Sequence, residues 1–253
     1  MTKFAKRFLS AAAAACLLCG CILPASAAEA EEEPRVLQYE TAQPVSSVVV
    51  DTEYADVVIQ PGQTDRITVE SAADAKGEYS YDCSVTEGVL TVNVEGIKGE
   101  EFRDYIQIGP FRFLNQYGSI LRNTITVTLP NKMYDSVRTN TSWGDLRMGN
   151  IQSQTAEMAC DWGDIILTGT QPQFLDLQAE WGDIIFDQAA VTQCEGTTKY
   201  GDVTGTIAGS QSSYSTSTAV EYGDSNLRAQ IGDGVHALAF NTKYGDIDVD
   251  FTA

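Results

Sequence analysis

The chain has a single histidine, His236, in 253 residues. That leaves little room for histidine-based acid–base or metal chemistry. Basic residues are scarce too, with 16 Lys and Arg against 35 Asp and Glu. Three of the 16, Lys3, Lys6 and Arg7, precede Ala27. A chain cleaved after Ala27 therefore keeps 13 basic residues and a net charge of −22. That sign disfavours nucleic acid and anionic lipid headgroups as partners. Of six cysteines, Cys16, Cys19 and Cys21 fall in the amino-terminal apolar stretch. Cys83, Cys160 and Cys194 lack zinc-site spacing and read as small buried residues, with at most one disulfide among them. Helical periodicity of useful length is absent. After the first 27 residues no apolar run approaches the ~20 residues of a transmembrane helix.

The amino terminus is itself organised. Lys3 to Arg7 is basic, Phe8 to Leu23 is apolar, and Ala25-Ser26-Ala27 has the small-x-small pattern of signal peptidase. Residues 1–27 read as an export signal cleaved after Ala27. In the rival reading, Leu18-Cys19-Gly20-Cys21 is a lipobox whose Cys21 is lipidated, which makes the membrane a partner. Cys19 is unusual at its place, and Ile22-Leu23 carries the apolar run past that cleavage point. Both readings put the domain outside the cytoplasm: secreted or at the cell surface of a bacterium, or anchored to the membrane's outer face. Residues 28–45 read as an acidic linker and 46–253 as one domain with an irregular insert at 60–130.

A repeat dominates that domain. Trp143-Gly-Asp145, Trp162-Gly-Asp164, Trp181-Gly-Asp183, Tyr200-Gly-Asp202, Tyr222-Gly-Asp224 and Tyr244-Gly-Asp246 follow one another at steps of 19, 19, 19, 22 and 22 residues. Tyr54-Ala55-Asp56 is a degenerate upstream copy. Flanking residues alternate at period two, as strands do: Leu175, Leu177 and Ala179 before one triplet, Ile184 and Phe186 after it. Each unit is strand, corner, strand and polar turn. Such a unit cannot bury its own apolar row, but stacking parallel units ~4.8 Å apart does so. The expected fold is all-β: a β-solenoid of about seven aromatic-Gly-Asp coils in chain order. In the insert, Ile67-Thr-Val69, Val89 to Val92 and Ile125-Thr-Val127 read as strands, and Pro61-Gly62 and Glu87-Gly88 as turns. Hairpins there would close the amino-terminal end. The carboxy-terminal end shows no cap, and Asp248 and Asp250 read as edge charges that deter pairing.

The layout resembles the bacterial putative-adhesin domain family, a domain of unknown function with β-strand repeats on cell-envelope proteins. Val48 to Val57, Ile125-Thr-Val-Thr-Leu-Pro130 and the Gly-Asp-apolar ladder after Trp143 carry the resemblance, over roughly residues 46–253. It implies a solenoid-like surface domain and supplies no catalytic residues.

Three features are candidates for function. Parity places the ladder aromatics inward, closing a corner of the core; a platform for sugar rings is the alternative. Asp145, Asp164, Asp183, Asp202, Asp224 and Asp246 would lie ~4.8 Å apart and repel by about 1 kcal/mol per pair in water. Backbone donors at the turn would offset that, or calcium held along the ladder; no other cofactor is expected. Phe102, Arg103, Tyr105, Phe111, Arg112 and Phe113 form a basic, aromatic exception in an acidic chain. They read as a flap over an open end, or as a partner or self-association site. Uniform carboxylates supply no unlike acid–base pair, so no enzyme is expected. The expected role is a non-catalytic envelope or surface module, for binding, adhesion or structure, that meets an unidentified macromolecule. The alternatives are a β-helix enzyme acting on acidic polysaccharide and a calcium-stabilised scaffold.

Overall fold

A computed structural model of the chain describes residues 37–71, 79–96, 105–108, 111–114 and 123–252. The export signal with Cys21 and Ala27, and also Phe102 and Arg103, lie outside the described residues. Period-two alternation becomes strand throughout. In Gln171–Trp181 the side chains of Leu175, Leu177 and Ala179 are buried while their neighbours are exposed. Across the Gly-Asp corner, Ile184–Ala189 buries Ile184 and Phe186. Removing each of these leucine, isoleucine and phenylalanine side chains from water is worth about 1.5–3 kcal/mol.

The strands form two nine-stranded sheets with open edges, and their buried rows merge into one apolar cluster. The architecture is all-β and solenoid-like. In spatial order the long-strand sheet runs Tyr214–Tyr222, His236–Tyr244, Gln193–Tyr200, Gln171–Trp181, Gln152–Trp162, Met133–Trp143, Ser47–Thr52, Val89–Gly96 and Tyr79–Thr86. The other sheet runs Gln38–Thr41, Ile67–Ser71, Asn123–Pro130, Ala55–Gly62, Leu146–Gly149, Ile165–Thr168, Ile184–Ala189, Val203–Ala208 and Ile247–Thr252. Pairing is parallel and in register through the repeat, with Trp143 beside Trp162, Trp162 beside Trp181 and Trp181 beside Tyr200. At the amino-terminal end both sheets finish in antiparallel strands. Tyr79–Thr86 returns from Val89–Gly96 through Glu87-Gly88, where both φ angles are positive (51° and 80°). That is the tight hairpin turn whose twist matches the strands. Pro61 and Gly62 were expected as a turn. Instead they finish the strand Ala55–Gly62 beside Leu129 and Pro130.

Three expectations give way. Gln38–Thr41, inside the expected linker 28–45, is a strand paired antiparallel with Ile67–Ser71 and covering its edge. Among the aromatic-Gly-Asp coils, stacking follows chain order only as far as Tyr200. The final pair, His236–Tyr244 and Ile247–Thr252, docks on Gln193–Tyr200 and Val203–Ala208, leaving Tyr214–Tyr222 outermost. The reason is apolar content. His236–Tyr244 buries Leu238 and Phe240 and is followed by buried Ile247 and Val249, whereas Tyr214–Tyr222 buries only Tyr214 and Thr216.

The carboxy-terminal end also has a cap. The side-chain amide of Asn226 accepts from Val249 N–H (3.0 Å) and donates to Val249 C=O (3.3 Å), closing that edge as a peptide group would. Its Nδ2 also donates to Asp248 Oδ1 (2.7 Å), so Asp248 holds the cap as well as charging the edge. Gln230 exchanges both backbone bonds with Thr216 (3.0 and 3.2 Å), and Leu227 is buried beneath. Side-chain amides on irregular backbone have no periodicity, which is why the sequence conceals this cap.

Candidate functional site

Each corner of the ladder is built by the close approach of glycine to glycine. A Cβ on Gly182 would lie 1.9 Å from the Gly163 carbonyl oxygen, and one on Gly163 2.1 Å from that of Gly144. Only hydrogen fits there. The corner carbonyls are reached from inside by hydroxyls, Thr198 Oγ1 to Gly182 O and Thr242 Oγ1 to Gly201 O, both 2.9 Å. These threonines belong to the site, and only their parity marks them in the sequence.

The aspartates cap the corners. Asp145 Oδ1 accepts the amide of Asp164 (3.0 Å), Asp164 that of Asp183 (2.9 Å), and Asp183 that of Asp202 (2.8 Å). Asp202 accepts from Asp246 and Asp246 from Asp224, both at 2.7 Å. Tyr54-Ala55-Asp56 keeps the geometry without glycine, since Asp56 Oδ1 accepts from Asp145 N–H (2.8 Å). A carboxylate accepting a backbone donor makes a charge-assisted hydrogen bond, which offsets the repulsion between rungs. The second oxygen of Asp145 accepts from Arg147 (2.8 Å). Among the described residues no three His, Cys, Asp or Glu side chains come together as a metal-binding group.

The aromatic rings stack in a column, but outside the core. Trp143, Trp162 and Trp181 are spaced 4.9 Å centroid to centroid with planes 0–2° apart. Trp181–Tyr200, Tyr200–Tyr244 and Tyr244–Tyr222 follow at 3.9, 5.1 and 4.9 Å. The three tryptophans are 39–44% exposed and Tyr222 is 58% exposed, so the inward reading is overturned. Parity breaks at the corner. Ala179 is buried, yet Glu180 and Trp181 are both exposed, where the strand runs out of the core into the bend at Gly182. The sugar-platform reading changes as well: a ring inside the column has both faces covered by neighbours and shows solvent only its edge.

Beside the column, the outer face of the long-strand sheet is polar and acidic. Glu157, Asp176 and Glu195 stand in register, partly matched by Arg138, whose Nε lies 3.7 Å from Glu157. Lys199 pairs with Glu180 at 2.7 Å. On the other sheet's outer face is a shallow depression of about 290 Å³ beside Val58, Arg147, Gly149, Ile166 and Thr168.

The remaining candidates are dispersed. Tyr105, Phe111, Arg112 and Phe113 fall in a separate two-stranded antiparallel sheet, Tyr105–Ile108 with Phe111–Leu114. His236 Nδ1 lies 2.7 Å from Asp233 Oδ2. The amides of His236 and Val235, together with the imidazole, hold the Asp233 carboxyl down at about 2. Cys83, Cys160 and Cys194 are all free thiols. Burial, aided by nearby carboxylates, pushes Cys83 and Cys160 up to about 12 and Cys194 higher still. No thiolate nucleophile forms at neutral pH among them.

No curated protein matches the chain. Among solved structures it is similar to a putative cell adhesion protein from Clostridium sporogenes (7% identity, TM-score 0.44, covering 86% of this chain and 100% of that one). It is similar also to putative adhesins from Bacteroides fragilis (12%, 0.43, 85% and 97%) and Parabacteroides distasonis (9%, 0.43, 85% and 97%). At these values no residue of theirs can be placed on this chain. A family model bears directly on the sequence: that of Toastrack DUF4097 matches residues 45–253, the span of both sheets from Ser47 onward, and the chain belongs to that family.

Proposed function

We propose that this chain is an exported, non-catalytic binding module of the bacterial cell envelope, built from seven aromatic-Gly-Asp coils. It meets another macromolecule through the aromatic column and the polar sheet face beside it. The observation that carries this reading is the exposure of the column. Three tryptophans and two tyrosines at 39–58% exposure form one contiguous apolar stripe that the core does not need, on a chain of strongly acidic balance. Aromatic side chains on a polar surface are the composition of binding hot spots. The acidic balance favours a neutral or basic partner over nucleic acid. The export reading of residues 1–27 places the module outside the cytoplasm, secreted or held through Cys21.

The mature chain should sediment with purified cell-wall sacculi or intact cells, and Trp162→Ser with Trp181→Ser should lose that association while Phe174→Ser keeps it. Equal retention by all variants would sink the reading, and turnover of an acidic polysaccharide would replace it with the enzyme. The calcium-scaffold reading is separable by melting with calcium and with chelator. Free calcium at ~100 times its dissociation constant would add about 2.7 kcal/mol. With every internal carboxylate already accepting an amide, we expect no shift.

A further inference from the structure

The column is a template repeated until it stops, and where it stops its bonding groups are left over. In each internal rung the ring is covered on both faces. The glycine amide donates to the next aromatic carbonyl, as Gly163 N–H does to Trp181 O at 3.0 Å and Gly245 N–H to Tyr222 O at 3.2 Å. The aspartate accepts the next aspartate's amide. At Tyr222-Gly223-Asp224 there is no next rung. One face of Tyr222 packs on Tyr244 at 4.9 Å and the other is open; the ring is the most exposed of the column. Gly223 N–H and the Asp224 carboxylate have no partner among the described residues. An aromatic face, one backbone donor and one carboxylate acceptor converge on the space a further rung would fill.

We infer that this terminal rung is a binding site for a neutral pyranose ring. The C–H face of a sugar stacks on an exposed aromatic face. Its hydroxyls supply donors to Asp224 and an acceptor to Gly223 N–H. Other occupants fit less well. An added strand is obstructed along the first half of Tyr214–Tyr222, because Thr216 already exchanges its backbone bonds with Gln230 and Thr218 Oγ1 donates to Leu227 C=O. The corner at Tyr222-Gly223-Asp224 lies beyond both contacts. A second copy stacking head to tail would need a free face at the other end, but Gly96 packs on Tyr54 there. A copy stacking tail to tail would bring Glu221 and Asp224 against their own images. Anionic sugars meet the same carboxylates. The inference rests on the binding-module reading and adds to it a ligand class and a place.

The test titrates the mature chain with methyl β-glucopyranoside, methyl β-galactopyranoside and N-acetylglucosamine at millimolar concentration, read by saturation-transfer NMR, with glucuronate as the anionic control. At least one neutral sugar should bind through its ring C–H protons, and glucuronate should not. Tyr222→Ala should weaken binding about tenfold or more, the loss of a single good contact. Tyr222→Phe should retain it, and Phe174→Ala, an exposed aromatic away from the rung, should leave it unchanged. Thermal melts of each variant establish that the fold is intact. Sugar binding indifferent to Tyr222→Ala would overturn this site while leaving the module reading in place. No binding of any neutral sugar would overturn the site too, and sedimentation with sacculi would then judge the module separately. A dimer lost on Tyr222→Ala would make the occupant a second copy and end the sugar assignment.

Discussion

Tyr54-Ala55-Asp56 and Tyr222-Gly223-Asp224 stand at opposite ends of one column and follow one pattern, yet the first is closed and the second open. Gly96 covers Tyr54, and Asp56 caps the amide of Asp145. Tyr222 keeps a bare face, and Asp224 caps nothing among the described residues. The difference also explains the alanine. A corner needs glycine where another corner's carbonyl lies against it, and Gly144 needs it because its Cβ would fall 2.3 Å from Ala55 O. Ala55 itself pairs on its other side with Asn123, not with an aromatic-Gly-Asp corner, and there a methyl fits, fully buried. A repeat position is thus set by the neighbour it meets.

The harshest way to break the comparison is Gly182→Ala. Its Cβ would meet backbone, so we expect a loss of more than ~4 kcal/mol or no folded protein, measured by urea denaturation. Ala55→Gly should cost about 1 kcal/mol. Equal costs would mean that corner contact is not what demands glycine. Next is the core row: Leu177→Ala, fully buried mid-stack, should lose about 2–5 kcal/mol. Val220→Ala, in the outermost strand, should lose about 1 kcal/mol. Among the caps, Asp164→Ala strands the Asp183 amide and should cost about 1–3 kcal/mol. Asp224→Ala, which leaves no amide without a partner, should stay within ~0.5 kcal/mol.

The smallest effect is in acid. Asp233, in the cap of the open end, titrates at about 2 in the fold against an ordinary 3.8. A depressed carboxylate stabilises fully above its unfolded value and loses that contribution as pH falls through its folded one. Protection against hydrogen exchange at 225–236, taken relative to each amide's intrinsic rate at the same pH, should therefore fall between pH 4 and about 2 before the two sheets respond. Asp233→Asn should remove the pH dependence of that protection, and unchanged protection across the window would refute the assignment.

Much of this was legible because period two and a 19-residue repeat are properties of the chain itself. Leu175, Leu177 and Ala179 show their inward row in any reading, and six Gly-Asp pairs at steps of 19 and 22 residues point to stacked coils. The corners were less legible. Parity carried past Ala179 puts Trp181 inside, and only the corner at Gly182 leaves it out. The cap formed by Asn226, Leu227 and Gln230 was illegible, because it pairs residues far apart through side-chain amides that follow no period.

Sequence alone therefore determined the strands of the repeat, their parallel stacking and the glycine at each crowded corner, since alternation and steric exclusion act between near neighbours. Tertiary structure alone decided which face of the column meets water, that the last strand pair slips beneath Tyr214–Tyr222, and that one rung is left unanswered. Those outcomes depend on which strand buries more apolar surface when all compete for the same core, a comparison no local pattern contains.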